Sequence, residues 1–371
     1  MIKKFKRLIG RHWMNAYGWR TNRRIVVIES DDWGAVRMPS KRSYDELTAL
    51  GVSFLDEFDR YDSLATEEDF DALYGILTRY RDMHGHHPIV TAMTVVANPD
   101  FAKIAASDFQ EYFYEPFTET LSRYVGCEHS FDMWKQGMGT GVFHPEFHAR
   151  EHVNVERWLK CLRSGHHEMR LAFDKGAFCA YDGDNTYRHH LFCTNDYQDV
   201  KGRERSLDGI REGISLFESI FGYKPRSYMA PAYCWSIIIE DELKTQGIDY
   251  IQSGLYQMFP SMSQQRSTRH KMGQINAKGQ LYTFRNCSFE PSVYPHLNHI
   301  KRCLENIKIA FFWGKPAIIS IHRVNFIGSI DVRNRNKNLE LLDCLLKEIL
   351  KEYPNVEFMT STQLADEIAS T

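Results

Sequence analysis

Residues 25–34 have the sequence Ile25-Val26-Val27-Ile28-Glu29-Ser30-Asp31-Asp32-Trp33-Gly34. The apolar first half, without polar alternation, predicts a buried strand of the kind found in parallel sheets. Two adjacent carboxylates, Asp31 and Asp32, follow where the strand ends. Neighbouring side chains in a strand point to opposite faces, but the chain turns at a strand end, and both carboxylates can then reach one edge. A structural role is the alternative, in which they cap the next segment or pair with Arg23 or Arg37.

Short apolar runs alternate with helical patterns along the rest of the chain, which is typical of a parallel sheet or barrel with helices outside. Strands are predicted at 25–30, 88–96, 141–144, 226–230, 248–253, 281–285, 316–321 and 355–359. Helices are predicted from near Thr66 to Gly85, over about 206–221 and over 337–353. We therefore predict an α/β fold, an irregular seven- or eight-stranded (β/α) barrel.

Three stretches fit this alternation poorly, namely 100–140, 166–205 and 256–280. We interpret them as long loop insertions over one end of the barrel, where loops usually shape the substrate cleft. No internal repeat and no low-complexity linker divides the sequence. The expected organisation is an N-terminal lead-in over 1–24 and a single barrel domain over 25–371.

The composition limits the classes of function. The chain has 371 residues, 43% of them hydrophobic, and a formal net charge of −2. The near-neutral charge gives no electrostatic reason to expect nucleic acid as a partner. No run of about 18 apolar residues exists, so the sequence predicts no integral membrane segment. The oligomeric state stays open.

The N-terminus and the cysteines bear on location. Residues 1–10 are basic but lack the longer apolar stretch and the small-residue cleavage site of a signal peptide. We interpret them as a solvated lead-in, with a membrane-surface helix as the alternative. Eight cysteines are scattered without a CxxC pair, which predicts reduced and mostly buried thiols. We expect a cytoplasmic location.

Three histidines, His144, His148 and His152, follow one another at four-residue intervals. On a helix, side chains at i and i+4 share one face, so either neighbouring pair could bind one ion. We favour His148 and His152, because 153–159 continues a helix from His152. Pro145, in contrast, should disrupt regular structure directly after His144. His144 then becomes a residue of the cleft or an ordinary loop histidine.

One carboxylate and two imidazoles are sufficient ligands for a catalytic divalent ion that keeps an open position. The second carboxylate of the 31–32 pair would then be free to accept a proton from water. His322 closes the apolar run 316–321 and should lie at the same edge as the two aspartates. A histidine with an ordinary pKa of about 6.5 is suited to protonate a leaving group. A structural histidine is the alternative.

The stretch Met229-Ala230-Pro231-Ala232-Tyr233-Cys234-Trp235 follows another short predicted strand. Its proline and small residues permit a rigid turn whose backbone N–H groups could face a developing oxyanion. Aromatic rings here could stack on a sugar. The residues that we expect to bind substrate are His144, Trp33, Trp235 and Pro231.

Taken together and in order, these segments resemble the polysaccharide deacetylase family, also called the NodB-homology or carbohydrate esterase 4 family. Residues 30–34 resemble its first motif, Thr-Phe-Asp-Asp-Gly, and residues 148–152 its second, His-Ser/Thr-x-x-His. Residues 230–233 stand where the family has Arg-Pro-Pro-Tyr, and 319–322 resemble its last motif, Leu-Leu-His. The similarity runs from about residue 25 to 365.

The resemblance implies a metal-dependent carbohydrate deacetylase, a hydrolase acting on C–N bonds other than peptide bonds or on carboxylic esters. It would remove an N- or O-linked acetyl group from an acetylated carbohydrate. The implied roles are Asp31 as general base, His322 as general acid, the Tyr233 amide as oxyanion donor, and Asp32, His148 and His152 as ligands of a divalent ion. Zn²⁺ is the ion that we expect.

The sequence also departs from the family pattern. Ala230 stands where the family has the arginine that steadies the base aspartate, and Arg226, Arg150 or Arg323 could substitute for it. This departure motivates one alternative, a catalytically silent carbohydrate-binding protein that retains the barrel. The second alternative is a non-haem iron oxygenase with two histidines and one carboxylate. Those enzymes usually place the carboxylate between the histidines, whereas here it precedes both.

Overall fold

The computed structural model describes residues 2–54, 57–183 and 190–371. The strands are β1 (Arg24–Trp33), β2 (Val90–Val95), β3 (Ala97–Pro99), β4 (Tyr114–Pro116), β5 (Phe143–Ala149), β6 (Ser227–Met229), β7 (Tyr250–Ser253), β8 (Tyr256–Met258), β9 (Ser267–Arg269), β10 (Gln274–Ile275), β11 (Leu281–Phe284), β12 (Cys287–Ser288), β13 (Ala317–His322) and β14 (Val356–Met359).

The helices are α1 (Ile2–Asn15), α2 (Lys41–Ala49), α3 (Glu67–Leu77), α4 (Phe101–Ala106), α5 (Phe117–Leu121), α6 (Ser130–Thr140), α7 (Val155–Arg163), α8 (His167–Asp174), α9 (Val200–Phe221), α10 (Ile237–Thr245), α11 (His299–Phe312), α12 (Val332–Glu352) and α13 (Ser361–Ala369). Short 3₁₀ helices lie at Glu57–Arg60, His190–Phe192, Pro231–Tyr233 and Arg323–Phe326.

The main sheet has the order β10-β11-β7-β6-β5-β2-β1-β13-β12, and β14 also pairs with β1. Its neighbouring strands are parallel, apart from the antiparallel pair β10–β11. Only two residues separate β11 from β12, so one stretch of chain, residues 281–288, pairs first with β7 and then with β13. We call this stretch the seam, because it joins the two ends of the curled sheet. The predicted (β/α) barrel is confirmed.

The apolar residues of β1 alternate between two cores. Val26 and Ile28 belong to a cluster packed against α3, α6, α11 and α12 outside the barrel. Ile25 and Val27 belong to a second cluster, which also contains Leu364 of α13. Such two-sided burial explains why the strand sequence is continuously apolar. It also fixes which side chains of β1 face the barrel interior.

Each of the eight predicted strands coincides with an observed strand, but the third was drawn too short. The prediction ended at residue 144, whereas β5 continues to Ala149 with Pro145 inside it, opposite Ala92 of β2. Neighbouring β6 pairs with β5 at Phe147. Pro145 itself has no partner in β6, so its missing N–H loses no hydrogen bond on the β6 side of the strand.

The three predicted helices are present with shifted ends. α3 begins after a capping box at Thr66 and ends at Leu77, before the predicted stop at Gly85. α9 and α12 begin earlier than predicted because Asp199 and Asp331 cap them. The predicted insertions contain short elements, α4 to α6 in 100–140 and β8 to β10 in 256–280. Residues 184–189 of the insertion 166–205, and residue 1 of the lead-in, lie outside the described residues.

The thiols and the helices bear on two further predictions from the sequence. All eight thiols are free, and all are buried except the half-buried Cys161 and the exposed Cys344. Burial raises the pKa of the Cys303 thiol to about 12, so this thiol is held neutral. Among the described residues no helix has both the length and the apolar character needed to cross a bilayer.

Candidate metal centre

The carboxyl end of β1 brings two consecutive carboxylates into one cavity. The pairing of β1 with β2 shifts register between Ser30 and Trp33, which is the mark of a β-bulge. Within the bulge Asp32 adopts a φ of 71°, in the left-handed region that non-glycine residues seldom occupy. Asp31 keeps the inward direction of the strand, and the bulge turns Asp32 to the same side. Both side chains line the same cavity.

Asp32, His148 and His152 form a compact buried group. Oδ1 of Asp32 lies 3.2 Å from Nε2 of His152 and 3.5 Å from Nε2 of His148. One possible ligand atom from each residue lies within 4.8 Å of the other two. The three residues expected from the sequence are therefore brought together, at a spacing that one ion can bridge.

The local structure of the two histidines differs from the prediction. His148 lies at the end of β5, and His152 lies in the loop before α7, so the expectation of one shared helix is wrong. The side chain of Asn154 caps α7, which is why that helix begins only at Val155. A tight turn after a strand places residues i and i+4 as close together as a helix does. The ring centroids are 5.1 Å apart.

The proton positions favour a cation at this group. Nδ1 of His148 lies 2.6 Å from the carbonyl oxygen of Met229, which can only accept, so this nitrogen must donate. In a neutral imidazole with this hydrogen bond the lone pair is on Nε2, the atom that lies 3.5 Å from Asp32, and it would be available to a cation bound between them. Burial lowers the pKa of His152, which favours the neutral form that binds metals. Two imidazoles and a carboxylate suit Zn²⁺ or a similar ion.

A buried arginine lies behind the carboxylate ligand. Nη2 of Arg37 donates to Oδ2 of Asp32 at 2.8 Å, and Nε of Arg37 lies 3.3 Å from Oδ2 of Asp62. Burial alone would raise the pKa of Asp32, but Arg37 and the two histidines outweigh it and hold that pKa well below its usual range. Asp32 is therefore ionised, as a metal ligand must be. Of the two arginines considered as its partner, Arg37 is the observed one.

Asp31 is held by an arginine that the sequence analysis missed. Nη1 and Nη2 of Arg285 each donate to a different oxygen of Asp31 at 2.5 Å, and Nε donates to Glu29 at 2.7 Å. Burial would raise the pKa of Asp31, but the Arg285 guanidinium outweighs it and lowers that pKa. A fork of this geometry also fixes the orientation of the carboxylate.

Arg285 corrects the expectation about the absent arginine of the third motif. The three arginines considered from the sequence pair with carboxylates elsewhere: Arg150 with Glu151, Arg226 with Asp366 and Arg323 with Asp62. Arg285 lies in the seam, directly after β11. It closes the predicted strand 281–285, so its position at a strand's carboxyl end was a signal that could have identified it.

His322 is oriented by a second residue that the sequence analysis missed. Nδ1 of His322 lies 2.7 Å from Oε1 of Glu290, and Oε2 of Glu290 accepts from Nδ2 of Asn325 at 2.8 Å. The other ring nitrogen, Nε2, lies 3.7 Å from Oδ2 of Asp31. Burial would lower the pKa of His322, but Glu290 and Asp31 outweigh it and raise that pKa to about 9. The imidazole is therefore protonated at neutral pH.

The turn after β6 differs from its expected role. The backbone N–H of Tyr233 donates to the carbonyl oxygen of Ala230 at 2.9 Å, inside the 3₁₀ turn. This amide is already paired, which corrects its assignment as an oxyanion donor. The side chain of Tyr233 does line the cavity, and its hydroxyl lies 3.4 Å from Nη1 of Arg285.

The two tryptophans expected to bind substrate are buried in the core instead. Trp33 is 1% exposed, stacks on Phe70, and donates from Nε1 to Oγ of Ser30 at 2.9 Å. Trp235 is fully buried and donates from Nε1 to Glu240 at 2.8 Å. Neither ring can stack on a ligand without unfolding its surroundings.

His144 and Pro231 are likewise absent from the cavity wall. His144 lies at the start of β5, near the opposite end of the barrel from Asp32, where its ring stacks on Tyr223 and contacts Glu146 at 3.2 Å. Pro231 is buried at the start of the 3₁₀ turn. Their positions in the sequence suggested that both lie near the site, but neither residue lines the cavity.

The cavity that contains these groups has a volume of about 520 Å³. This lies within the range of about 300–1,000 Å³ that is typical of small-molecule sites. Aromatic side chains line it beside the charged groups: Phe58, Phe192, Tyr233 and Tyr294. The ring of Phe58 lies 4.6 Å from that of His322. The cavity wall thus combines a cluster of charged side chains with flat aromatic surfaces.

Neither a family model nor the sequence of a curated protein matches this chain. Solved structures resemble it only distantly. The PuuE allantoinase has a TM-score of 0.49 at 10% identity, over 95% of this chain and 93% of that one. A probable polysaccharide deacetylase from Pseudomonas aeruginosa PAO1 has 0.45 at 10% identity, over 93% and 91%. The α-amylase AmyC from Thermotoga maritima has 0.46 at 10% identity, over 94% and 75%. At these values the likeness supports no argument, and the fold assignment rests on the strand order itself.

Proposed function

We propose that this protein is a metal-dependent hydrolase that removes an acetyl group from a carbohydrate. The supporting observation is that five groups with complementary chemistry line one cavity: Asp31, Asp32, His148, His152 and His322. Three of them form the candidate ion site, and the other two are a carboxylate and an imidazole of opposite charge. The motif order that resembles polysaccharide deacetylases supports the same reaction.

The ion site defines the kind of chemistry. Asp32, His148 and His152 would hold the ion, and three protein ligands leave room for further ones. A divalent ion bound there would polarise a carbonyl oxygen and make water more acidic. Zn²⁺ is the ion that we expect from this donor set.

The other two groups, Asp31 and His322, transfer protons. The ionised Asp31 accepts a proton from the attacking water, while Arg285 keeps its carboxylate in one orientation. The water oxygen attacks the acetyl carbonyl carbon, and the bond to the sugar nitrogen or oxygen then breaks. The protonated His322, oriented by Glu290, donates its Nε2 proton to the departing amine or alcohol. The products are acetate and the deacetylated sugar.

Two features of the cavity bear on the substrate and on the silent alternative. Aromatic faces such as those of Tyr233 and Tyr294 offer a stacking surface for a sugar ring, in place of the buried tryptophans. The silent carbohydrate-binding protein was motivated by an absent arginine. Arg285 contacts Asp31 in the way that such an arginine would, which removes that motive.

Elemental analysis combined with an acetyl-release assay tests the proposal. We expect the purified protein to contain a divalent transition metal, and to release acetate from a member of a panel of N- and O-acetylated sugars and chromogenic acetyl esters. Sugar binding without acetate release from the metal-loaded protein would instead establish the silent alternative. Iron content with oxygen consumption would establish an oxygenase.

The contact between His322 and Glu290 predicts the pH dependence. His322 acts as an acid in its protonated form, so activity should fall as the pH rises through its pKa of about 9. Glu290→Gln removes the main charge that raises this pKa, so the alkaline limb should move to lower pH, by about one unit or more. The measurement is kcat/KM between pH 6 and pH 10.5. Glu305→Gln, an exposed glutamate on α11, is the control. An unmoved limb in Glu290→Gln would rule out His322 as the acid.

A further inference from the structure

An apolar patch lies on the first helix and its neighbour, far from the cavity. Its members are large apolar side chains that are roughly half exposed or more: Leu8 46%, Ile9 52%, Trp13 46%, Tyr17 53% and Phe312 73%. Leu8 is one helical turn from His12, whose ring lies 5.9 Å from that of Phe312, and Ile9 is one turn from Trp13. The exposed groups lie on α1, on the turn after it and at the end of the neighbouring α11, and we call them together the apolar patch. Such surfaces usually mark an interaction site.

The helix that carries the patch is fixed to the barrel near its C-terminal end. Asn15 is 1% exposed, and its Oδ1 accepts from Nδ2 of Asn286 in the seam at 2.9 Å. Nδ1 of His12 accepts from Nε1 of Trp313 at 3.1 Å. These contacts hold the last turn of α1 against the seam and α11, beside the exposed side chains of the patch.

Positive charge surrounds the patch. The guanidinium of Arg269 lies 3.4 Å from the centre of the Trp13 ring, and Arg20 and Lys308 are exposed nearby in sequence, Lys308 one turn before Phe312. The sequence of α1 contains no acidic residue. The chain as a whole has a net charge of −2, so this concentration of cations is local.

We propose that the apolar patch docks this protein onto the surface of an anionic phospholipid bilayer. Helices that lie in the plane of a bilayer interface combine an apolar face, aromatic residues such as Trp13 and a surplus of Lys and Arg. Anionic headgroups attract the cations, and the exposed rings enter the boundary between headgroups and acyl chains. A second copy of the chain is a poorer occupant, because a two-fold contact would bring the cations of both copies together.

The patch and the cavity lie at opposite ends of the barrel. The chain after α1 contacts the start of β13, where Nζ of Lys315 donates to the carbonyl oxygen of Gly18 at 2.6 Å. Asp31 and His322 lie at the other ends of β1 and β13. Docking therefore leaves the cavity open to water, and removal of the patch should not change turnover in solution.

Sedimentation with vesicles tests this proposal. The full-length protein should bind vesicles of phosphatidylcholine and phosphatidylglycerol at 3:1, and bind pure phosphatidylcholine at least about tenfold more weakly. Raising NaCl from about 0.1 M to 0.5 M should weaken the binding, because salt screens charge. The double variant Trp13→Ala/Phe312→Ala should bind at least about tenfold more weakly while its thermal unfolding stays cooperative.

A matched control removes two exposed apolar residues outside the patch, in Leu50→Ala/Val125→Ala, and should bind as the parent does. Equal binding to both vesicle types, or full binding by the Trp13/Phe312 variant, would overturn the proposal. A dimer in sedimentation velocity that only the Trp13/Phe312 variant dissociates would show that a second copy covers the patch. Because vesicle binding is measured without turnover, its outcome is independent of the hydrolase proposal.

Discussion

Asp31→Asn is expected to lower kcat/KM for acetyl release by about 10²–10⁴-fold, the usual contribution of a positioned general base. The amide has nearly the shape of the carboxylate but cannot accept a proton from water. Arg285 keeps its hydrogen bond to Glu29, so the guanidinium retains a charged partner in the variant. The ion should stay bound, because Asp31 is not among the three grouped ligands. Initial rates and metal content of the same preparation measure both quantities.

Asp45→Asn is a suitable control, because it makes the same chemical change at an exposed carboxylate on α2 that pairs with Lys41. It should leave rate and metal content unchanged. Hydrolysis by Asp31→Asn at the parent rate would remove Asp31 from the mechanism. Loss of the ion together with the activity would instead make Asp31 a ligand, and the division of labour between the two aspartates would be wrong.

His152→Ala should abolish metal binding and, with it, activity. The substitution removes Nε2 of His152, which lies 3.2 Å from Oδ1 of Asp32, so that only two of the three proposed ligands remain. A ligand that binds only the folded state at about 100 times its Kd stabilises that state by about 2.7 kcal/mol. Added Zn²⁺ should therefore raise the Tm of the metal-free parent protein but leave that of His152→Ala unchanged. Metal analysis after dialysis measures the same loss directly.

His144→Ala is the matched control, because it removes the same kind of side chain from the same stretch of sequence at a point outside the cavity. It should keep the ion, the Zn²⁺-dependent rise in Tm and the activity. If His144→Ala lost the ion while His152→Ala kept it, the alternative pair of His144 and His148 would be supported after all. That result would contradict the position of His144 at the start of β5, outside the cavity.

Local sequence was sufficient to identify eight strands of the main sheet, but not β10 and β12 or the short strands outside that sheet. A run such as 25–28 is buried on both sides of the sheet, and such a run is visible without knowledge of its neighbours. The ends were less certain, because they depend on what pairs with each strand. Pro145 shows this, since it is tolerated inside β5 only because β6 is short.

The proximity of Asp32, His148 and His152 was predicted correctly, although the local structure behind it was not. Spacing by four residues suits a helix, but a turn after a strand produces the same proximity for His148 and His152. The bulge at Asp32 could not be foreseen, because nothing in Asp31-Asp32 itself requires a left-handed backbone. Spacing thus identified which atoms meet, and tertiary structure decided how they meet.

Arg285 and Glu290 were missed because their partners are distant in sequence. Arg285 lies 254 positions from Asp31, and Glu290 lies 32 from His322. The prediction that Trp33 and Trp235 bind substrate was wrong for a related reason. Both look available in the sequence, but segments far along the chain bury them. Which face of a residue is covered depends on the whole fold.

The seam has a consequence for inactivation by heat. Its last two residues, Cys287 and Ser288, pair with β13, and Asn286 adds hydrogen bonds to that strand at Ile318. This contact is short, so we expect it to open locally at a lower temperature than the whole barrel unfolds. Arg285 would then swing away from its aspartate, while Asp32 and the two histidines remain on β1 and β5 and in the adjoining loop. On warming, a metal-loaded sample should therefore lose acetyl-release activity before it loses bound metal. The activity should return on cooling without added metal.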